Sequence, residues 1–323
     1  MDALSDVLRA VRLSGAVFFD IRASDPWVAA TPPGRAIVGA MFPGSEHLIS
    51  YHVIIDGGCW AGVRDTPPIR LNAGDIIVFP HGDPHMLSSV PGMQATADLS
   101  LYRPPADGQL PFNISMGQSQ VESARFVCGF LGCDVRPYNP LLSALPRVIH
   151  VSDRGGALGT YVRFALTESK QPRIGGESVL SRLSELMFVD VVRQYLEGLP
   201  AERTDWLAGL RDPYVGRALT ALHRDPARAW TLQALARVAG LSRSALAERF
   251  AQYVGRPPMQ YLTNWRMQLA TSQLLGGRES IAEIANRVGY ESEAAFSRTF
   301  KKVLGTSPSL WRRERAAGSA AAD

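Results

Sequence analysis

Cysteine is scarce in this 323-residue chain: Cys59, Cys128 and Cys133 are the only three, an odd number with no framework spacing. That excludes a disulfide-stapled scaffold and fits a reducing cytoplasm. Long apolar runs are missing too. No stretch approaches the ~18 apolar residues that a membrane-spanning helix needs, so no membrane partner is expected. The opening M-D-A-L-S-D-V-L-R-A-V-R has early acidic residues and no apolar core, unlike a secretory signal. Net charge is low overall, with 34 Lys+Arg against 30 Asp+Glu, but it is unevenly divided. Residues 213–323 hold 16 Lys+Arg and 8 Asp+Glu, and residues 1–212 hold 18 and 22. A basic module joined to a mildly acidic one is the footprint of a nucleic-acid binder attached to something else, although charge alone leaves open a merely solvated basic face.

What is present decides the matter. Between Thr231 and Pro308 one short pattern is written twice. Leu232, Leu235, Ala236 and Gly240 match Ile281, Ile284, Ala285 and Gly289; the second copy then has one extra residue, and the match resumes at Leu246/Phe296, Phe250/Phe300, Gly255/Gly305 and Pro258/Pro308. The apolar spacing gives each copy a first short helix. The glycine supplies the positive φ of a sharp turn, and Ser242 or Ser292 caps a second helix. Ser280 and Glu283 have the spacing of a capping box. Between the copies, Pro258, Tyr261, Leu262, Trp265 and Leu269 predict one connecting helix that stops at Gly276-Gly277. Two helix-turn-helix patterns joined by a helix can present both second helices to one side of a DNA duplex.

On A-x-x-x-G, the paired aromatics and the closing G-T-S-P-S-L-W-R, residues Pro213 to about Arg315 resemble the AraC/XylS family of bacterial transcription regulators. The resemblance implies base-reading positions at Ser244, Ala247 and Glu248 in the first copy and at Glu293, Ala294, Ser297 and Arg298 in the second. Arg298 has the fork to read a guanine edge, or alternatively to clamp a phosphate. Lys301, Lys302, Arg312, Arg313 and Arg256 have the character of phosphate contacts.

The amino-terminal part has a different texture. Residues 2–13 predict a short amphipathic helix. Residues 15–113 are short apolar runs between Gly, Pro and Asp, among them A-I-V-G-A-M-F, H-L-I-S-Y-H-V-I-I-D, D-I-I-V-F-P and A-T-A-D-L-S-L-Y, which predict an antiparallel barrel or sandwich. Gly74-x5-Pro80-x-Gly82-x-x-His85 and Gly44-x5-Ser50-x-His52-x3-Asp56 are similar to the two cupin motifs, with serine where the family has a histidine and aspartate where it has glutamate. The resemblance implies a barrel interior lined by His52 and His85, with Trp60 as an aromatic surface for an organic ligand. A divalent metal on His52, Asp56 and His85 is the alternative, and no other cofactor is implied. Residues 176–197 carry an apolar stripe that serves either packing on the barrel or a dimer interface.

The expectation is therefore an α+β two-domain chain. Residues 1–152 are a cupin-like β-barrel, 153–197 a helical dimerisation segment and 198–212 a linker. Residues 213–315 are an all-α double helix-turn-helix domain, and 316–323 a disordered tail. It is read as a cytoplasmic, homodimeric one-component transcription regulator, not an enzyme. Its expected partners are double-stranded promoter DNA and a small-molecule effector, with RNA polymerase a further candidate. A cupin-type metal-dependent enzyme with a helical assembly domain is the alternative.

Overall fold

The computed structural model describes residues 2–11, 13–102, 112–135, 137–152, 156–170, 173–200, 202–276 and 279–320. In chain order the elements are α1 (Ala3–Ala10), β1 (Ser14–Ser24), β2 (Val28–Thr31), α2 (Val38–Met41), β3 (His47–Val63), β4 (Ile69–Asn72), β5 (Asp75–Phe79), β6 (His85–Ser88), β7 (Phe112–Gly117), β8 (Ala124–Cys133), α3 (Pro140–Ala144) and β9 (Ile149–Ser152). They continue as α4 (Ala157–Lys170), α5 (Gly176–Glu197), α6 (Trp206–Arg211), α7 (Val215–Arg224), α8 (Leu232–Ala239), α9 (Arg243–Val254), α10 (Pro258–Gly276), α11 (Ile281–Arg287), α12 (Glu293–Leu304) and α13 (Pro308–Ala320).

These elements form two compact units whose boundaries differ from those expected. One unit comprises residues 13–133 and 145–198; the other comprises 1–12, 134–144 and 199–323. The amino-terminal helix and the segment around α3 thus belong with the helix-turn-helix elements rather than with the sheet. The stretch 198–212, expected as a linker, contains α6, whose Trp206 and Leu207 are buried. The expected tail also starts too early, because α13 runs to Ala320; residues 321–323 lie outside the described residues.

The sheet unit is a curled nine-stranded sheet among the described residues, ordered β2-β6-β3-β8-β1-β7, with β4 and β5 also on β3 and β9 on β5. All these pairs are antiparallel except β1 with β7. β3 is the spine, and it changes face part-way. Its register to β8 shifts between Ile54 and Asp56, where Gly57 takes φ 66°. A β-carbon at Gly57 would meet the Ser123 carbonyl oxygen at 2.0 Å. Before this bulge Leu48 and Ile54 join the apolar core; after it Cys59, Ala61 and Val63 do. Alternation with period two is reset by such an extra residue. Two apolar runs expected as strands are not: residues 38–41 are helical and 99–102 form a 3-10 turn. α5 lays Leu180, Ser184, Met187, Phe188, Val191 and Val192 into buried positions. It comes so close to β1 that a β-carbon on Gly15 would lie 2.5 Å from Ser184.

The helical unit contains the doubled motif. Thr231, Ser242, Ser280 and Ser292 each accept a backbone N–H at a helix start, and Ser280 with Glu283 completes a capping box. Gly240 (φ 79°) and Gly289 (φ 88°) make the two turns. α10 is buried on several sides, through Tyr261, Leu262, Trp265, Met267, Gln268, Ala270, Thr271 and Leu274. Its second half joins Ile284, Ala285, Phe296, Phe300 and Trp311 in one core. Gln268 is fully buried, and both ends of its amide are engaged: Oε1 accepts from Tyr138 N at 3.1 Å and Nε2 donates to the Ala10 carbonyl at 3.2 Å. Among the described residues no helix is long and apolar enough to cross a membrane.

Candidate nucleic-acid interface and effector site

α9 and α12 have the same length of 12 residues and the same division of faces. Leu246, Phe250 and Val254 are the buried side of α9, and Phe296 and Phe300 that of α12. Ser244, Glu248, Glu293, Ala294 and Arg298 are exposed, and Ala247 and Ser297 are half-buried. All seven expected base-reading positions therefore lie on or beside the outer faces of the two helices. Each helix starts with a serine cap that accepts one first-turn N–H, from Ala245 or Ala295. Lys301, Lys302 and Arg313 are exposed as well. Two expected phosphate contacts are otherwise engaged. Arg312 donates from Nη2 to the Glu279 carbonyl at 2.7 Å, and the Arg256 guanidinium lies 4.4 Å from the Tyr138 ring centroid.

A residue that pattern reading passed over sets the pose of α9. Asp212 accepts from the backbone N–H of Tyr214 and Val215, starting α7, and grips Arg249 of α9 through both carboxylate oxygens at 2.5–3.1 Å. Although partial burial opposes it, these bonds hold the Asp212 carboxyl below its ordinary range. An aspartate just before a helix is a readable cap signal; its second partner, 37 residues on, is not. Nearby, Tyr261 accepts from Trp206 Nε1 at 3.0 Å and meets His223 Nε2 at 2.7 Å. Burial pushes His223 down to about 3, so its 4.0 Å approach to Asp6 is not an ion pair at neutral pH.

In the sheet unit, His52 and His85 are both buried and meet through their Nε2 atoms at 2.6 Å. Their other nitrogens decide the tautomers. His85 Nδ1 faces the Asp83 carbonyl at 2.8 Å and must donate, which leaves its Nε2 as an acceptor. His52 then donates from Nε2, and its bare Nδ1 accepts from the Cys128 thiol at 2.8 Å. The result is one directed chain, Cys128 to His52 to His85 to Asp83. The thiol and both imidazoles are neutral. Burial lowers His52 well below the ordinary imidazole value, with His85 adding to it, and pushes His85 down to about 4. Burial also raises the Cys128 thiol well above its usual range and the Cys59 thiol to about 12. Phe79 stacks on His85 at 3.6 Å and 10°.

Two sequence expectations fail here, both through the bulge in β3. Asp56 is exposed and accepts from Gly57 N, so it does not join the histidines. Trp60 stands beside Arg70 on the face opposite Cys59 and Ala61, with the guanidinium 5.7 Å from its ring centroid, so it does not line the interior. Cys128, which does reach the pair, carries no local motif. The donors do not fit the alternative of a metal on His52, Asp56 and His85: two imidazoles converge without a carboxylate, and among the described residues no three His, Cys, Asp or Glu side chains are placed to hold an ion.

Comparison with known proteins gives these units a family. A cupin family model matches residues 2–197, and a helix-turn-helix domain model matches residues 235–314. A putative AraC-like transcription regulator of Streptomyces lividans is 34% identical over 97% of this chain and 98% of its own length. The chain belongs to the AraC-like transcription regulators. Another similar protein, the HTH-type transcriptional regulator AlkR of Acinetobacter baylyi, is 27% identical over 97% of this chain and all of its own. Among solved structures, the DNA-binding domain of AdpA in complex with a target DNA is 30% identical over 33% of this chain and 95% of that one, with a TM-score of 0.31. As an AraC-like regulator the protein binds DNA through its helix-turn-helix elements, and the enzyme alternative falls away.

Proposed function

We propose that this AraC-like regulator takes a small organic effector at His52 and His85, and that occupancy of the cupin-like unit alters promoter binding. The observation that supports it is the neutral Cys128–His52–His85 chain set among apolar side chains. It is a cluster of interchangeable donors and acceptors that a ligand's polar groups can enter without meeting a buried charge. No metal is required by this chemistry. In the helical unit, Ser244, Ala247, Glu248, Glu293, Ala294, Ser297 and Arg298 read bases, while Lys301, Lys302 and Arg313 hold phosphates. α9 and α12 enter successive major-groove segments about 34 Å apart on one DNA face. The protein works in the cytoplasm as a homodimer; Phe164 of α4 and Leu186 of α5 stay exposed while the opposite side of α5 packs on the sheet. RNA polymerase is the partner through which promoter occupancy would reach transcription.

The test is footprinting of DNA flanking the protein's own gene, with and without candidate metabolites. His85→Ala is expected to abolish the metabolite response and keep basal protection, since coupling links two distinct sites. A response that survives His85→Ala refutes the site. One tightly held transition metal per chain, lost in both His52→Ala and His85→Ala, refutes the metal-free reading.

A further inference from the structure

The DNA-binding unit has a second concave surface, linked to α9 through the Asp212–Arg249 pair. A groove of about 800 Å³ is lined by the end of α6, the outer face of α7, the loop after it and Val238 of α8. No residue of α9 or α12 lines it. Four of its side chains are arginines: Arg211, Arg217, Arg224 and Arg228. Arg217 and Arg224 are seven residues apart on α7, two turns or about 10.5 Å along one face. Arg217 also lies against the turn before α9, its guanidinium 3.2 Å from where a Gly240 β-carbon would be.

The negative charge in the groove is already committed. Asp212 is held by Arg249 and the start of α7, and Asp225 accepts the backbone N–H of Arg228. Among the described residues no carboxylate lies within ion-pair distance of Arg217, Arg224 or Arg228. The cations stand beside apolar surface. Val238 is 42% exposed beside the half-buried Leu210 and Ala221, while Arg228 covers the buried Trp230, its guanidinium 4.2 Å from the ring centroid.

We propose that this groove docks an acidic amphipathic helix of a partner protein. The mixture of groups selects that occupant over the DNA backbone. Phosphates answer only the arginines and leave the exposed Val238 and the half-buried Leu210 and Ala221 without a use. A helix with carboxylates two turns apart beside a leucine stripe answers both, in the helix-in-groove mode of recognition. Its site is separate from the base-reading helices, so the partner and DNA can be held together.

The experiment uses the full chain and two fluorescent helical peptides, one with glutamates at two-turn spacing beside a leucine stripe, the other with lysines in their place. Wild type should bind the glutamate peptide and not the lysine peptide. Arg217→Glu with Arg224→Glu should weaken the glutamate peptide by about tenfold or more and create binding of the lysine peptide, with promoter DNA affinity changed less than about twofold. The milder pair Arg217→Ala with Arg224→Ala should weaken the glutamate peptide alone. Parallel loss of DNA affinity in these variants would make the groove a phosphate contact and overturn the proposal. So would a glutamate peptide that wild type ignores, or that the charge-reversed chain binds equally well.

Discussion

Replacing His85 by glutamine removes a titrating group from the cupin-like unit while keeping a donor and an acceptor on the same side chain. Its oxygen can take the His52 Nε2–H, and its NH2 can reach the Asp83 carbonyl. In the folded protein His85 is held near 4 by burial, against an ordinary 6.5. An unfolded chain therefore binds a proton at this residue below pH 6.5, and the folded chain does not until about pH 4. Wherever the unfolded state binds more protons, stability falls as pH falls. With about 1.4 kcal/mol for each pH unit of that gap, His85 alone should cost about 2 kcal/mol between pH 7 and pH 5. Urea unfolding at the two pH values, followed by tryptophan fluorescence, measures it. Glutamine lowers stability at both pH values by losing the stack on Phe79, so the diagnostic quantity is the pH dependence. It should be about 2 kcal/mol shallower in His85→Gln than in wild type, with groups remote from the pair, His223 included, contributing equally to both and His52 kept neutral by its own burial. An equal pH dependence in the two proteins would refute the assignment of His85 as a buried neutral imidazole.

Other consequences are open to direct measurement. Phe300→Ala, at a fully buried position against Phe296 and Trp311, should destabilise the helical unit by about 3–5 kcal/mol in denaturant unfolding; a loss below about 1 kcal/mol would contradict a closely packed second core. Arg249→Ala leaves the Asp212 carboxylate with only its two backbone donors; because Arg249 is 40% exposed, the expected cost is a screened one of about 1 kcal/mol, with a larger fall in operator affinity as α9 loses its anchor. Unchanged operator affinity would remove Asp212 from the account of α9. Arg298→Ala should lose about 1–3 kcal/mol at one base pair, whereas Arg313→Ala should weaken all sequences alike. Equal, uniform losses in both would make Arg298 a phosphate contact.

The helical unit was legible because its signals are local. Gly240 and Gly289 with positive φ, the serine caps and the Ser280–Glu283 box each act within one or two turns, and the structure contains each one. The sheet was legible as a type and less so as a geometry. An alternating pattern along β3 carries Ser50 and His52 inward correctly, but in H-V-I-I-D-G-G-C-W only the glycine pair hints at the register shift at Ile54/Asp56 that turns Asp56 and Trp60 outward, and it does not say where the extra residue falls. The apolar run at 36–42 contains no alternation to separate helix from strand, and it became a 3-10 turn and α2. Cys128 lies 76 residues from His52, and Arg249 lies 37 from Asp212; pairings over such distances are set by tertiary packing. The allegiance of α1 was hidden for the same reason, since an amphipathic stripe says that a face is covered and not by what.

That allegiance has a consequence for synthesis. α1 leaves the ribosome well before α10, and the carbonyl of Ala10 awaits the amide of Gln268, 258 residues later. At translation rates of about 5–20 residues per second, the helix waits roughly 10–50 s for its permanent neighbour. During that interval α3 and then α7 emerge beside α1, and its contact with α10 is the last to form. The sheet residues can condense meanwhile, but the DNA-reading half cannot close until the carboxyl-terminal third exists. The DNA-binding half of this chain is therefore stitched from three separated stretches of the message, and a gene fragment starting at residue 213 would leave α1 and the Tyr138 segment behind.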